Sequence, residues 1–230
     1  RALDAYLWRD EVDPEIYVNL VRGVEENVAR LQRYLRFRKQ QMGVEELHIY
    51  DLYTPLVPAV DRRIPYEQAV EQINEALAPL GDDYLAVLGP ALDPRNGWID
   101  VFPHRDKRSG AFSASMFGEH PYVFMNYFDE LDDMLTLAHE YGHALHSDLA
   151  MQSQPYVTAS YVMLIAETAS TFNEVLVLRH LIGGAADDDE RLYLLGELVE
   201  TIRTTIYRQA LCAAFELELH TAIEQGTPVT

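Results

Sequence analysis

A chain of 230 residues, 48% of them hydrophobic, is long enough to bury a sizeable core and reads as globular rather than disordered. Its formal net charge of -19, with only 18 Lys and Arg, leaves no basic face for nucleic acid or an anionic membrane surface, so both are set aside as partners. No apolar run approaches the roughly 18 residues of a membrane span and no signal-peptide pattern opens the chain, so a cytoplasmic setting is expected. The lone cysteine, Cys212, cannot close an internal disulfide, and its neighbours in ALCAAF predict a small buried residue, in keeping with a reducing compartment. The first residue is Arg1 and structured-looking sequence follows at once, which predicts a piece of a longer polypeptide.

From Asp13-Pro14 the apolar residues Ile16, Leu20, Val24, Val28, Leu31 and Leu35 fall on one stripe up to Gly43, which predicts one long amphipathic helix. The proline-containing stretch over 50–66 reads as an extended connection, followed by helices over about 67–78 and 82–92. GWIDVFP, GAFSASMF and PYVFMNY are short aromatic and β-branched runs separated by HRDKRSG and GEH, and predict a sheet of about three strands. Helical periodicity returns over about 129–150, 159–182 and 187–225, with GGAADDD joining a glycine stop to an acidic helix start. No internal repeat is present.

Chemistry concentrates in LTLAHEYGHALHS, residues 135–147. On a helix, His139 and His143 project from one face and can take two corners of a zinc tetrahedron. Glu140, rotated about 100° from His139, is poorly placed as a ligand and well placed to accept a proton from a water in an open coordination position. This is the HExxH arrangement of zinc peptidases. Apart from the motif, no charged residue lies between Thr136 and Leu145, so the helix is expected to be buried, where these groups would be costly without a shared partner. Gly142 leaves room for something to approach.

The longer pattern HExxHxxGxxH is excluded, because His146 and Leu149 stand where glycine and histidine are needed. A carboxylate must complete the set. Glu167, in AETASTFNE, lies 24 residues past His143, enough for a turn at Gln154-Pro155 and an antiparallel return, and Glu174 follows close to two turns later on the same face. Glu167 is assigned to the metal, and Glu174 to the outer N–H of a liganding histidine, the competing reading of Glu174 being a helix-surface carboxylate. His146 is read as a supporting or core residue near the metal. His48, His104, His120, His180 and His220 have no spacing partner, and Asp132 and Asp133 are read as favourable charges at a helix start.

These residues, with YDLYTPL, GWIDVFPHRDKRSGAFS and HPYVFMNYFDELDDMLTLAHEYGHALHS, resemble the thimet-oligopeptidase family of zinc metallopeptidases, in its oligoendopeptidase F branch. The resemblance covers most of the chain. It implies a mainly α, zincin-like fold with a small β-sheet beside the zinc-binding helix, one Zn2+ per chain held by His139, His143 and Glu167, and Glu140 as general base. It implies oligopeptide substrates, and a peptide strand added to a sheet edge formed by GAFSAS or YVFMNY, with Gly110, Ala111, Phe112 and Ser113 as candidates. The competing view is that these strands only pack on helices.

Relatives of this kind are longer, with a region before this one and a later segment whose histidine and tyrosines stabilise the tetrahedral intermediate, so residues 1–230 are expected to be a single catalytic-domain portion. The expected activity is a zinc-dependent endopeptidase. Two rivals stand beside it. One is a carboxypeptidase or dipeptidase that seizes a terminal carboxylate with Arg105, Lys107 or Arg108; the other is a non-catalytic zinc-bearing fragment that binds peptides.

Overall fold

The computed structural model describes residues 2–57 and 63–228, and the chain divides into two compact units, residues 1–60 with 187–230 and residues 61–186. The part of the expected connection over 58–62 lies outside the described residues. No helix among the described residues is long and apolar enough to cross a membrane.

In the first unit the described elements are helical: α1 (Ala2–Trp8), α2 (Pro14–Glu26), α3 (Val28–Met42), a 3-10 turn over Ile49–Tyr53, α8 (Asp188–Ile202) and α9 (Gln209–Glu224). The single helix expected over 14–43 is two helices. At Asn27 the side-chain amide donates to the Gly23 carbonyl at 2.8 Å, taking the acceptor that a continuing helix would give to the Asn27 N–H, which bonds Val24 instead. An apolar stripe does not register such a local substitution. The connection over 50–66 is likewise not wholly extended, because Ile49–Tyr53 winds into a 3-10 turn whose start is fixed by Asp51 accepting the His48 N–H at 2.7 Å.

The helix expected over 187–225 is continuous in path, but between α8 and α9 it widens into a π turn, Arg203–Arg208, which shifts the register of α9 against α8. Arg38 is 2% exposed and bonds the Glu200 carboxylate, the Tyr34 hydroxyl and the carbonyls of Asp51 and Thr54, so its buried charge is paired. Cys212 is exposed, against expectation, because α9 turns Ala210 inward and leaves Leu211 and Phe215 on the open side. Apolar neighbours in sequence do not say which face is covered.

The second unit holds α4 (Tyr66–Ala76), α5 (Asp82–Ala91), β1 (Ile99–Asp100), β2 (Phe112–Ala114), β3 (Tyr122–Phe124), α6 (Leu131–Ser153) and α7 (Met163–Gly183). It is the predicted combination of helices and a small sheet. The strand order is β1-β3-β2, with β1 parallel and β2 antiparallel to β3, and Ser113 opposite Val123. The central place of β3 corrects one expectation: YVFMNY offers no edge, whereas β2 is an edge strand of the sheet among the described residues. With two or three residues each, the strands carry too little pattern to declare their neighbours in advance.

Helix α6 starts where Asp133 accepts the backbone N–H groups of Phe128 and Glu130 at 2.7 and 3.0 Å, so this carboxylate caps the helix as well as favouring its dipole. Met134, Leu137, Ala138, Tyr141 and Ala144 have no exposed surface, and the Tyr141 hydroxyl donates to the Ala91 carbonyl. α7 packs along α6 at very close range. A Cβ on Gly142 would lie 2.5 Å from Ser170 Cα and 2.8 Å from the Ala169 carbonyl oxygen, so the room seen at Gly142 in the sequence is taken by the α7 backbone.

Candidate metal centre

The close approach at Gly142 brings α6 and α7 together where both carry chemistry. His143 Nε2 and His139 Nε2 lie 3.1 Å apart, and Glu167 Oε2 stands 3.4 Å from the first helix's His139 and 3.5 Å from its His143. The outer nitrogens of both rings are already engaged. His139 Nδ1 hydrogen-bonds the Glu174 carboxylate, and the ring of His143 donates to the Ala166 backbone carbonyl. In the neutral tautomers that keep the protons outward, both Nε2 atoms would present lone pairs toward a carboxylate oxygen. Two ring nitrogens and a carboxylate oxygen thus converge, and a bound cation would stand in for the proton that they would otherwise share. A tetrahedral zinc with bonds of about 2.0–2.1 Å separates its ligand atoms by about 3.3–3.4 Å, so this triangle fits the ion in both chemistry and size.

The surroundings hold these atoms in place. The Ser170 hydroxyl, fully buried, donates to Glu167 Oε2 at 2.9 Å, and Asn173 Nδ2 donates to the Ala138 carbonyl at 3.1 Å, tying α7 to α6 one residue before Glu174. Neither Ser170 nor Asn173 was a candidate in the sequence. The spacing of Ser170 three residues past Glu167, one helical turn, is a signal that could have found it.

Glu140 is 7% exposed. Burial pushes its carboxyl above the ordinary range, opposed by His139 and reinforced by Glu167, while the Ser113 backbone N–H bonds it and pulls back down. Burial lowers the His143 imidazole against the pull of Glu167. For His139 burial acts downward as well, but the Glu174 hydrogen bond and the charges of Glu174, Glu140 and Glu167 outweigh it and the net shift is upward.

His146 stands apart from the triangle. It stacks on Tyr161 with ring centroids 3.9 Å apart, and its buried Nδ1 has no hydrogen-bond partner. Gly110 and Ala111 lead into the edge strand of Phe112 and Ser113; the Phe112 side chain is 43% exposed, and the Ser113 backbone N–H bonds Glu140 of α6. Of the cations offered as carboxylate anchors, Arg105 and Arg108 are exposed, but the Lys107 side chain is 1% exposed and bonded within the sheet, so it is not free to seize a terminus.

Residues 3–230 match the family model of peptidase family M3. The chain belongs to that family. The M3 chain is 38% identical over 229 residues to Oligopeptidase PepF of Bacillus subtilis (strain 168), covering 100% of this chain and 34% of that protein. It is 36% identical over 229 residues to an Oligoendopeptidase F homolog of Lactococcus lactis subsp. lactis (strain IL1403), covering 100% and 38%. A crystal structure of a Chlamydophila abortus protein superposes with a TM-score of 0.87 at 34% identity, over 99% of this chain and 38% of that one. The M3 chain thus spans little more than a third of the length of these curated relatives.

Proposed function

We propose that residues 1–230 are the metal-bearing catalytic portion of a zinc-dependent oligopeptidase that cuts internal bonds of short peptides. The observation that supports it most is the convergence of two Nε2 atoms and one carboxylate oxygen within 3.1–3.5 Å, with the buried carboxyl group of Glu140 next to His139 in the chain. His139, His143 and Glu167 would hold one Zn2+, which when bound polarises a peptide carbonyl and makes a nearby water more acidic. Glu140 takes the proton of the attacking water and passes it to the leaving amine nitrogen. Glu174 keeps His139 in the tautomer that leaves Nε2 free, as the Ala166 carbonyl does for His143. The edge strand β2, with Gly110, Ala111, Phe112 and Ser113 as the candidate residues, would offer an extended peptide those backbone groups that Asn126 (at the Gly110 carbonyl), Glu140 (at the Ser113 N–H) and β3 do not already hold. A cytoplasmic setting belongs to the same reading.

The test uses the zinc-loaded 230-residue chain and a fluorogenic nonapeptide blocked at both ends, with and without a chelator. Internal cleavage that stops with the chelator and returns with zinc is expected. Cleavage indifferent to the chelator would remove the metal from the reaction, and cleavage only of peptides with free termini would favour the exopeptidase rival. Stoichiometric zinc with peptide binding and no turnover would favour the non-catalytic rival.

Glu174→Gln is expected to weaken zinc binding by roughly 10- to 100-fold while leaving the helical content unchanged, because the amide gives a weaker and less oriented partner to His139. Competition with a chromogenic chelator measures it. Unchanged zinc affinity would return Glu174 to the status of a surface carboxylate.

A further inference from the structure

The turn between β1 and β2 is unusually well held for a charged surface loop. Lys107 Nζ donates to the carbonyls of Asp100 and Phe102 at 3.2 and 2.9 Å and stands 3.0 Å from the Asp100 carboxylate. It lies 4.7 Å above the Phe124 ring, which stacks on Phe112 at 4.8 Å. A lysine serving only solubility would keep its ammonium in water; here the three donors find three acceptors and the side chain is buried. The ammonium therefore links the end of β1 to the ring on β3, and the ring on β2 stacks against that second ring.

A second tie acts on the same loop. Asn126, two residues past β3, donates Nδ2 to the carbonyls of Arg108 and Gly110, both at 2.9 Å. Gly110 has φ +91°, a conformation other residues rarely adopt, and it is where the chain turns into β2. The approach to the edge strand is thus pinned on both sides of that turn. β2 has only three residues, and a strand this short does not order itself. An edge that accepts a peptide strand must be rigid beforehand, or binding bears the entropy of ordering it.

We infer that Lys107 and Asn126 are positioning residues that hold β2 in register as the template for a peptide strand. The peptide's part in this rests on the peptidase reading above; the hold on the strand does not. Lys107→Met keeps the length and the apolar contact with Phe124 and removes the charge, and Asn126→Ala removes the two ties to the loop. Both are examined in the zinc-loaded 230-residue chain carrying Glu140→Gln, so that binding is read without turnover.

Hydrogen exchange over residues 108–116 should quicken by roughly tenfold in each variant, with exchange in α6 unchanged. The dissociation constant of a doubly blocked nonapeptide should rise by about tenfold, with the zinc dissociation constant within about twofold of the parent. Unchanged exchange over 108–116 in both variants would overturn the inference. So would a parallel loss of zinc binding and of α6 protection in both, because the residues would then support the whole unit rather than the strand; if Lys107→Met alone does this, Asn126→Ala decides. Faster exchange with unaltered peptide affinity would overturn the template role. Should the parent bind no peptide while the exchange effect appears, the peptidase reading fails and the hold on the strand stands.

Discussion

Glu140→Gln is expected to lower kcat by roughly 10²–10⁴-fold with zinc stoichiometry unchanged. Glutamine has nearly the shape of glutamate, so the packing around this 7% exposed side chain persists, but the amide cannot take a proton from water. The base has no ready substitute. Glu167 and Glu174 are engaged with the two histidines, and the pull of the Ser113 N–H is directed at Glu140 itself. Elemental analysis for zinc beside steady-state cleavage of the blocked nonapeptide reads both halves of the expectation. Full turnover in the variant would assign proton transfer to another group, and loss of zinc would make Glu140 part of the metal's support.

The second large effect is expected at Gly142, and its sign runs against helix propensity. In an exposed helix, glycine to alanine stabilises by about 1 kcal/mol. Gly142→Ala should instead destabilise the chain by about 1–3 kcal/mol, because the new methyl meets Ser170 Cα at 2.5 Å and the Ala169 carbonyl at 2.8 Å, and backbone cannot swing aside as a side chain can. Relief requires α7 to move away from α6. Glu167 and Glu174 move with it, and a displacement of about 1 Å at a reacting centre can cost roughly 100-fold in kcat/KM. Urea unfolding, zinc affinity and cleavage should all worsen together. A gain in stability with intact zinc binding would show that the two helices can be packed without this close approach.

Gly142 also marks how far the sequence could be read. That a small residue makes room was legible; that the occupant is the backbone at Ser170 required the fold. His139, Glu140 and His143 were legible because a helix converts spacing into direction within one turn, and Glu167 and Glu174 because a second helix had to return past the first. Lys107 was visible as a cation beside a sheet, but nothing local said that its ammonium is folded under the turn. The order of the strands escaped for a related reason: a three-residue run such as Tyr122–Phe124 has no register of its own, and its central position follows from partners distant in sequence. The break at Asn27 depends on a side chain competing for a carbonyl one turn back, which leaves the apolar stripe unaltered.

His139, Glu140 and His143 come from the first helix of one hairpin, Leu131–Gly183, and Ala166, Glu167, Ser170 and Glu174 from its second. The sheet supplies none of the three converging atoms. On the reading advanced above, metal chemistry and peptide preference are separately heritable: substitutions can accumulate in the loop and strands over 102–117 while the hairpin is kept. The Ser113 amide, bonded to Glu140, is where the two inheritances meet. On that same reading, drift that tilts this amide would alter turnover, whereas drift a residue to either side, at Phe112 or Ala114, would alter which peptides are accepted.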